Sequence, residues 1–269
     1  MSAGEHGTSR LAPGDAPDEA NLPASARFRD PRRIVRFDEC ARDGRMRAAA
    51  ILRHAQDLAW QHSEHLEYGR SWYEARGVGW VVRAVDLLID RPERSNASLV
   101  GTTALVGFRH VMARRRTRLF APGDRVMADA TIDWVMTDRD GRPTRLPEEM
   151  QPFIEQVGAT FVPTKIAPPT GEPLAVIDVS LRAADIDPLG HVNNAAWLEI
   201  VDEGLALIAP EQLAAEQRRI RLEYLAVATG RRVRISLYRG DATGNLGLAV
   251  ADEDGTPLLR GILGVMPRS

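Results

Sequence analysis

One pattern occurs twice along this chain: a short strand, a long helix, then several alternating strands joined by short turns. In the first half, residues 34–39 read as a short strand and Asp43-Gly44 as a turn. Ile51, Ala55, Leu58 and His62 then recur at helical spacing between Met46 and Leu66. Strands are expected over 78–89, 99–108 and 111–120. After the turn Ala121-Pro-Gly-Asp124, the residues Val126, Ala128, Ala130, Ile132, Trp134 and Met136 alternate without a break. Strict alternation of this kind marks a half-buried strand, because successive side chains leave opposite faces.

The second half repeats the order. Ala175, Ile177, Val179 and Leu181 alternate as a strand, and a loop then leads into a helix with Asn193 or Asn194 at its N-cap. Around that helix Trp197, Leu198, Ile200, Val201, Gly204, Leu205, Leu207 and Ile208 fill one broad arc, so more than half its circumference is expected to be buried. Glu199, Asp202, Glu203 and Ala206 fill the polar arc, and Pro210 ends the helix. Strands over 219–227 and 232–238 precede a hairpin, 246–250 and 258–266, around Asp252-Glu-Asp-Gly255. The pattern predicts an α+β fold in which each half wraps a curved antiparallel sheet around one long central helix. A repeat this long is a duplicated domain rather than a solenoid.

Between the halves stand Pro143, Pro147, Pro152, Pro163, Pro168, Pro169 and Pro173, which exclude a regular core element and predict a connection. The expected organisation is a disordered tail over 1–31, a first domain over 32–141, a Pro-rich linker over 142–173 and a second domain over 174–269.

Composition excludes several function classes. The net charge of −2 over 269 residues gives no reason to expect nucleic acid or an anionic membrane. No run is apolar enough for a transmembrane helix, and the first 27 residues lack the basic start and apolar stretch of a signal peptide. The single cysteine, Cys40, fits a reducing, cytoplasmic compartment. Asn96-Ala-Ser98 is then a chance sequon.

The chemistry concentrates in Asp187-Pro-Leu-Gly190-His191-Val192-Asn193-Asn194, where a carboxylate stands four residues before an imidazole at a strand-to-helix junction. Pro188 fixes φ, Gly190 permits a tight backbone turn, and the free N–H groups of the helix start form a site for developing negative charge. A carboxylate base or nucleophile, an imidazole and oriented N–H donors are what acyl transfer needs. A D-P-x-G turn with an Asn cap is also common as plain structure.

The segment resembles the D-x-x-G-H-V-N-N signature of hotdog thioesterases of the 4-hydroxybenzoyl-CoA type. Trp197 and the pair Asp202-Glu203 match the aromatic and acidic positions that follow it. Over roughly 32–266 the chain resembles the acyl-ACP thioesterases more closely. Leu52-Arg-His-Ala-Gln-Asp57 through His62 is similar to that family's first central helix, Trp80-Val-Val-Arg83 to its W-x-x-R strand, and Trp134-Val through Arg145-Leu-Pro-Glu-Glu149 to its strand and R-x-P-E-E element. The resemblance implies a tandem double hotdog. Asp187 and His191 are then catalytic, and Gly190, Val192, Asn193 and Asn194 bind the oxyanion or substrate. It implies no metal or redox cofactor, and a partner that is the thioester of acyl carrier protein or coenzyme A. One chain already holds two hotdog units, so both a monomer and a homodimer fit.

Two positions depart from the acyl-ACP pattern. Leu189 stands where the family commonly has asparagine, and Val227 where it has glutamate. Glu223 lies four residues from Val227, about 13 Å at strand rise, and is a poor substitute. Glu203 is a further candidate for orienting His191 or a water, set against its place on the polar arc. His62, Glu64 and His65 lack a convincing third metal ligand. In the first half Asp43-Gly44-Arg45-Met46 stands where the motif should recur, without its histidine, which predicts a non-catalytic copy that shapes the acyl pocket. Arg114, Arg116 and Arg118 alternate to one strand face, which is either a solvated face or a contact for the carrier. The expected function is hydrolysis of acyl thioesters in fatty acid or lipid metabolism. The rivals are a degenerate acyl-thioester binder and, less well matched by the motif, a hotdog dehydratase or hydratase.

Overall fold

The computed structural model describes residues 19–240 and 244–266. Its elements in chain order are β1 (Arg27–Ile34), α1 (Ala48–His65), α2 (Arg70–Arg76), β2 (Val78–Asp90), β3 (Ser98–Arg109), β4 (Met112–Ala121), β5 (Arg125–Asp138) and α3 (Gln151–Val157), then β6 (Pro173–Ser180), α4 (Asn194–Ile208), α5 (Pro210–Ala214), β7 (Gln217–Tyr224), β8 (Arg232–Arg239), β9 (Leu246–Asp252) and β10 (Pro257–Val265). All ten strands form one antiparallel sheet in the order β1-β3-β4-β5-β2-β7-β10-β9-β8-β6.

Read inward from either edge, each half runs first strand, third, fourth, fifth, second. The two halves therefore share one topology and meet back to back where β2 pairs with β7, from Ala84 opposite Glu223 to Asp90 opposite Gln217. One apolar core runs under both, holding Ile51, Leu52 and Leu58 of α1 with Leu198, Val201 and Leu205 of α4. Each such side chain, fully buried, stabilises the fold by about 1.5–3 kcal/mol before chain entropy is counted. Arg53 of α1 bonds Glu199 of α4 at 2.7 Å, tying the two central helices at the surface.

Three expectations need correction. Order does not begin at Arg32: Leu22 and Ala26 are buried, and β1 precedes the strand expected over 34–39, where Phe37–Glu39 form a 3-10 turn instead. β1 is an edge strand rich in arginine with a bulge between Asp30 and Arg33, so it shows no apolar alternation. Residues 1–18 of the expected tail lie outside the described residues.

The linker expected over 142–173 is not free of structure. α3 opens with Pro152 in its first turn, where a missing N–H costs nothing, and buries Phe153 and Val157. The chain beyond it lies on the first half, with the Phe108 N–H donating to the Ala159 carbonyl at 2.9 Å. Finally, the apolar arc of α4 stops short of Leu207, which is 72% exposed, while Asp202 on the polar arc is largely enclosed beside Arg218, at 3.2 Å.

Candidate active site

The loop between β6 and α4 is built from its own backbone. Ile186 and Val192 form an isolated bridge, the Asp187 N–H donates to the His191 carbonyl at 2.8 Å, and the Gly190 N–H donates to the Asp187 carbonyl at 2.9 Å. Gly190 sits at φ +78°, a conformation other residues rarely adopt. Asp187 Oδ1 accepts the N–H groups of Leu189 at 2.9 Å and His191 at 3.2 Å. Its Oδ2 has no hydrogen-bond partner among the described residues. One carboxylate oxygen thus anchors the loop, and Asp187 also lines a cavity.

α4 starts where the sequence reading placed it. Asn193 caps the helix, its side-chain oxygen accepting the Ala195 N–H at 2.9 Å, and its own N–H donates to the Asp185 carbonyl at 2.7 Å. The Tyr224 hydroxyl donates to the Asn194 carbonyl at 3.0 Å, which fixes the helix start to β7. Burial pushes the Tyr224 phenol far up, so it stays a donor.

Asp187, Pro188, Leu189 and Asn193 line a cavity of about 460 Å³. Its remaining walls come from the first half, where Trp60 of α1, Tyr73 of α2, Trp80 of β2, Phe108 of β3, Trp134 of β5 and Phe153 of α3 surround it. An acidic loop of one half therefore closes an aromatic cavity of the other. α2 and α3 supply two of these walls and have no counterpart in the sequence reading.

The other expected site residues are placed less centrally. His191 is half-buried but does not line the cavity, and its N–H is committed to Asp187. The N–H groups of Gly190, His191 and Asn193 are all occupied within the loop, so they are not the free donors expected of them. The Asn194 N–H has no partner among the described residues. Val192 is buried in the core at 6% exposure. Glu203 is exposed and lines a different, polar groove of about 990 Å³ with Arg42, Arg45, Asp185, Asp202 and Arg218, so it does not orient His191.

Neither departure from the family pattern is compensated. Leu189 is 65% exposed and Val227 is 45% exposed. Glu223 is buried and spent on Arg83, at 2.8 Å, and on the Ile166 N–H, at 2.7 Å.

The arginine face of β4 is neither solvated nor open to a carrier. Arg114 bonds Asp133 through two contacts of 2.6 and 2.9 Å, Arg116 bonds Asp129 at 2.5 Å, and Arg118 bonds Glu19. Both aspartates are almost fully buried on the neighbouring strand β5. The same alternation turns Arg115 to the opposite face and into the cavity wall, a residue that the sequence reading passed over. His62 is a core histidine: its Nε2 lies 2.9 Å from the Ser25 carbonyl and its Nδ1 lies 2.7 Å from Arg115.

Residues 29–154 match the acyl-ACP thioesterase N-terminal domain, a segment that ends before Asp187. No curated protein matches the chain by sequence. Among solved structures, the fold is similar to a 12:0-ACP thioesterase from Umbellularia californica, at a TM-score of 0.73 and 18% identity over 90% of this chain and 98% of that one. It is also similar to an acyl-ACP thioesterase from Bacteroides thetaiotaomicron, at 0.71 and 15% over 88% and 97%. A third is a protein assigned as an oleoyl thioesterase from Lactobacillus plantarum, at 0.74 and 19% over 90% and 97%. At these identities the likeness establishes a shared hotdog-type fold. The match to the acyl-ACP thioesterase N-terminal domain is confined to residues 29–154, just under half of the chain.

Proposed function

We propose that this protein is a tandem double hotdog that hydrolyses acyl thioesters of acyl carrier protein or coenzyme A. The stretches from β1 to β5 and from β6 to β10 would be its two units, and fatty acid metabolism in the cytoplasm its setting. The observation that carries the reading is the meeting of Asp187, with one free carboxylate oxygen, and an aromatic cavity able to take an acyl chain.

In this reading the acyl chain enters the first-half cavity and the thioester carbonyl lies at the Asp187 loop. Asp187 Oδ2 takes a proton from water as it attacks the carbonyl, or attacks it directly. The N–H of Asn194 at the start of α4 stabilises the oxyanion. The thiolate then leaves; on the direct route a water must next cleave the Asp187 acyl anhydride so formed, and on either route the second product is the free acid. His191 positions Asp187 through its N–H and carbonyl rather than touching the substrate.

The uncompensated positions Leu189 and Val227 favour one rival, a protein that binds acyl thioesters without cleaving them. Free-thiol release from a panel of acyl-ACP and acyl-CoA substrates separates the two. Hydrolysis that disappears in Asp187→Asn supports the proposal. Tight binding with no turnover at any chain length supports the rival.

A further inference from the structure

The cavity behind Asp187 carries a buried cation in its largely aromatic wall. Arg115 is 7% exposed and lines it, and the contacts it makes are with neutral groups. Its Nη1 lies 2.7 Å from His62 Nδ1, and its Nη2 lies 3.5 Å from Ser63 Oγ. The Ser25 carbonyl accepts only if His62 carries its proton on Nε2, which leaves Nδ1 as the acceptor for the guanidinium. Burial and the neighbouring Arg115 charge hold the His62 pKa down to about 3, so the imidazole is neutral.

Among the described residues no carboxylate is bonded to or paired with Arg115, in contrast to Arg114, Arg116 and Arg118 on the opposite face. The one ionisable group that acts on it is Tyr73, whose phenol is held by burial above its usual range and so uncharged at neutral pH, and which accepts the Trp80 indole N–H at 3.1 Å. Burial lowers the Arg115 pKa to about 10, which still leaves it charged at neutral pH. A buried charge without a counter-ion costs several kcal/mol, and an apolar side chain of similar volume would fill the same wall without that cost. A guanidinium offers five donors in a planar fork that matches a carboxylate. His62 and Ser63 use only two.

We propose that the cavity accepts an acyl group bearing a second carboxylate, remote from the thioester, and that Arg115 pairs with it. This inference rests on the thioesterase reading and names its substrate class. A neutral acceptor would satisfy donors but leave the charge uncompensated. Asp187 and Arg115 line the same cavity and share no hydrogen bond or ion pair among the described residues, so one ligand can meet both.

The test uses non-hydrolysable S-alkyl pantetheine thioethers that end in a methyl, a hydroxyl or a carboxylate, at three chain lengths. Binding to the full chain is measured by calorimetry. At the best length the carboxylate ligand binds the wild type at least about tenfold more tightly than the methyl ligand, a difference of about 1.4 kcal/mol. Arg115→Met reverses this order, and Arg115→Lys retains part of it. The proposal is overturned if the methyl ligand binds the wild type as tightly at every length, if the hydroxyl ligand equals the carboxylate, or if the preference survives Arg115→Met. Should Arg115→Met fail to fold, the wild-type ligand order and Arg115→Lys decide. Thiol release from the matching thioesters is scored separately. Hydrolysis without the binding preference overturns this inference alone, and the preference without hydrolysis overturns only the thioesterase reading.

Discussion

Asp187 occupies in the second half the place that Ala41 holds in the first. The Ala41 N–H donates to the Arg45 carbonyl at 2.7 Å, and the Asp187 N–H to the His191 carbonyl at 2.8 Å. Gly44 at φ +82° answers Gly190 at φ +78°, and the bridge between Cys40 and Met46 answers that between Ile186 and Val192. Two nearly identical loops thus face two cavities. The one with the carboxylate faces the aromatic cavity, and the one with alanine faces the polar groove that Glu203 lines.

Asparagine at position 187 keeps an Oδ1 that can accept the Leu189 and His191 N–H groups but cannot act as base or nucleophile. Asp187→Asn is therefore expected to keep a melting temperature near wild type while losing at least about a thousandfold in kcat. Asp187→Ala loses the same activity and in addition about 1–2 kcal/mol of stability, from two lost hydrogen bonds. Turnover that survives in Asp187→Asn would remove Asp187 from the chemistry.

Arg116 and Asp129 test whether the basic strand face serves the carrier or the fold. Asp129 is 1% exposed, and Arg116 meets both of its carboxylate oxygens. Arg116→Ala strands a buried charge and should cost about 3–5 kcal/mol in urea denaturation. The salt dependence of kcat/KM for an acyl-ACP substrate should not change. A stable variant with weakened carrier binding would restore the docking role.

His62 sets a pH dependence. Its pKa is about 3 in the folded protein, held there by burial and then by Arg115, against about 6.5 in the unfolded chain. Below pH 6.5 the unfolded chain binds a proton that the folded protein does not, so stability is full above that pH and is lost as pH falls toward 3. The slope from this residue is at most about 1.4 kcal/mol per pH unit. His62→Gln can still donate to Ser25 and accept from Arg115, so it should flatten the curve of unfolding free energy over pH 4–6. An unchanged slope would mean that His62 is protonated in the folded state.

Much of this molecule is legible in its sequence, and what is not has identifiable causes. β2 to β5 and β7 to β10 bury one or both faces, so alternation or apolar runs announce them. β1 buries almost nothing, and α3 hides among prolines with only Phe153 and Val157 turned inward. The Asp187 loop is local and self-bonded, and a local motif reveals it. The cavity is not local. Trp60, Tyr73, Trp80, Phe108 and Phe153 come from five separate elements, and no spacing along the chain brings them together. Arg115 was hidden for another reason: amid arginines on an alternating strand, only the partners of each side tell a structural cation from one left for a ligand.

Gly190 separates loop geometry from acid chemistry. A Cβ built there meets no atom within 4 Å, so Gly190→Ala is penalised by backbone conformation alone, at φ +78°. The expected cost is about 1–2 kcal/mol if the loop holds its shape. A loop that relaxes instead loses the hydrogen bond from Gly190 to the Asp187 carbonyl and shifts the carboxylate from the cavity mouth. The cavity walls remain intact in either case, because they lie mostly in the first half. Gly190→Ala should therefore lower kcat by about tenfold or more while KM and thioether binding stay near wild type. Gly44→Ala in the alanine-bearing loop imposes the same backbone strain at φ +82°, brings its Cβ to 2.8 Å from Nη1 at the far end of the Arg94 side chain, and should leave kcat unchanged. Equal loss of kcat in both variants would show that both loops, and not Asp187 alone, shape the reacting site.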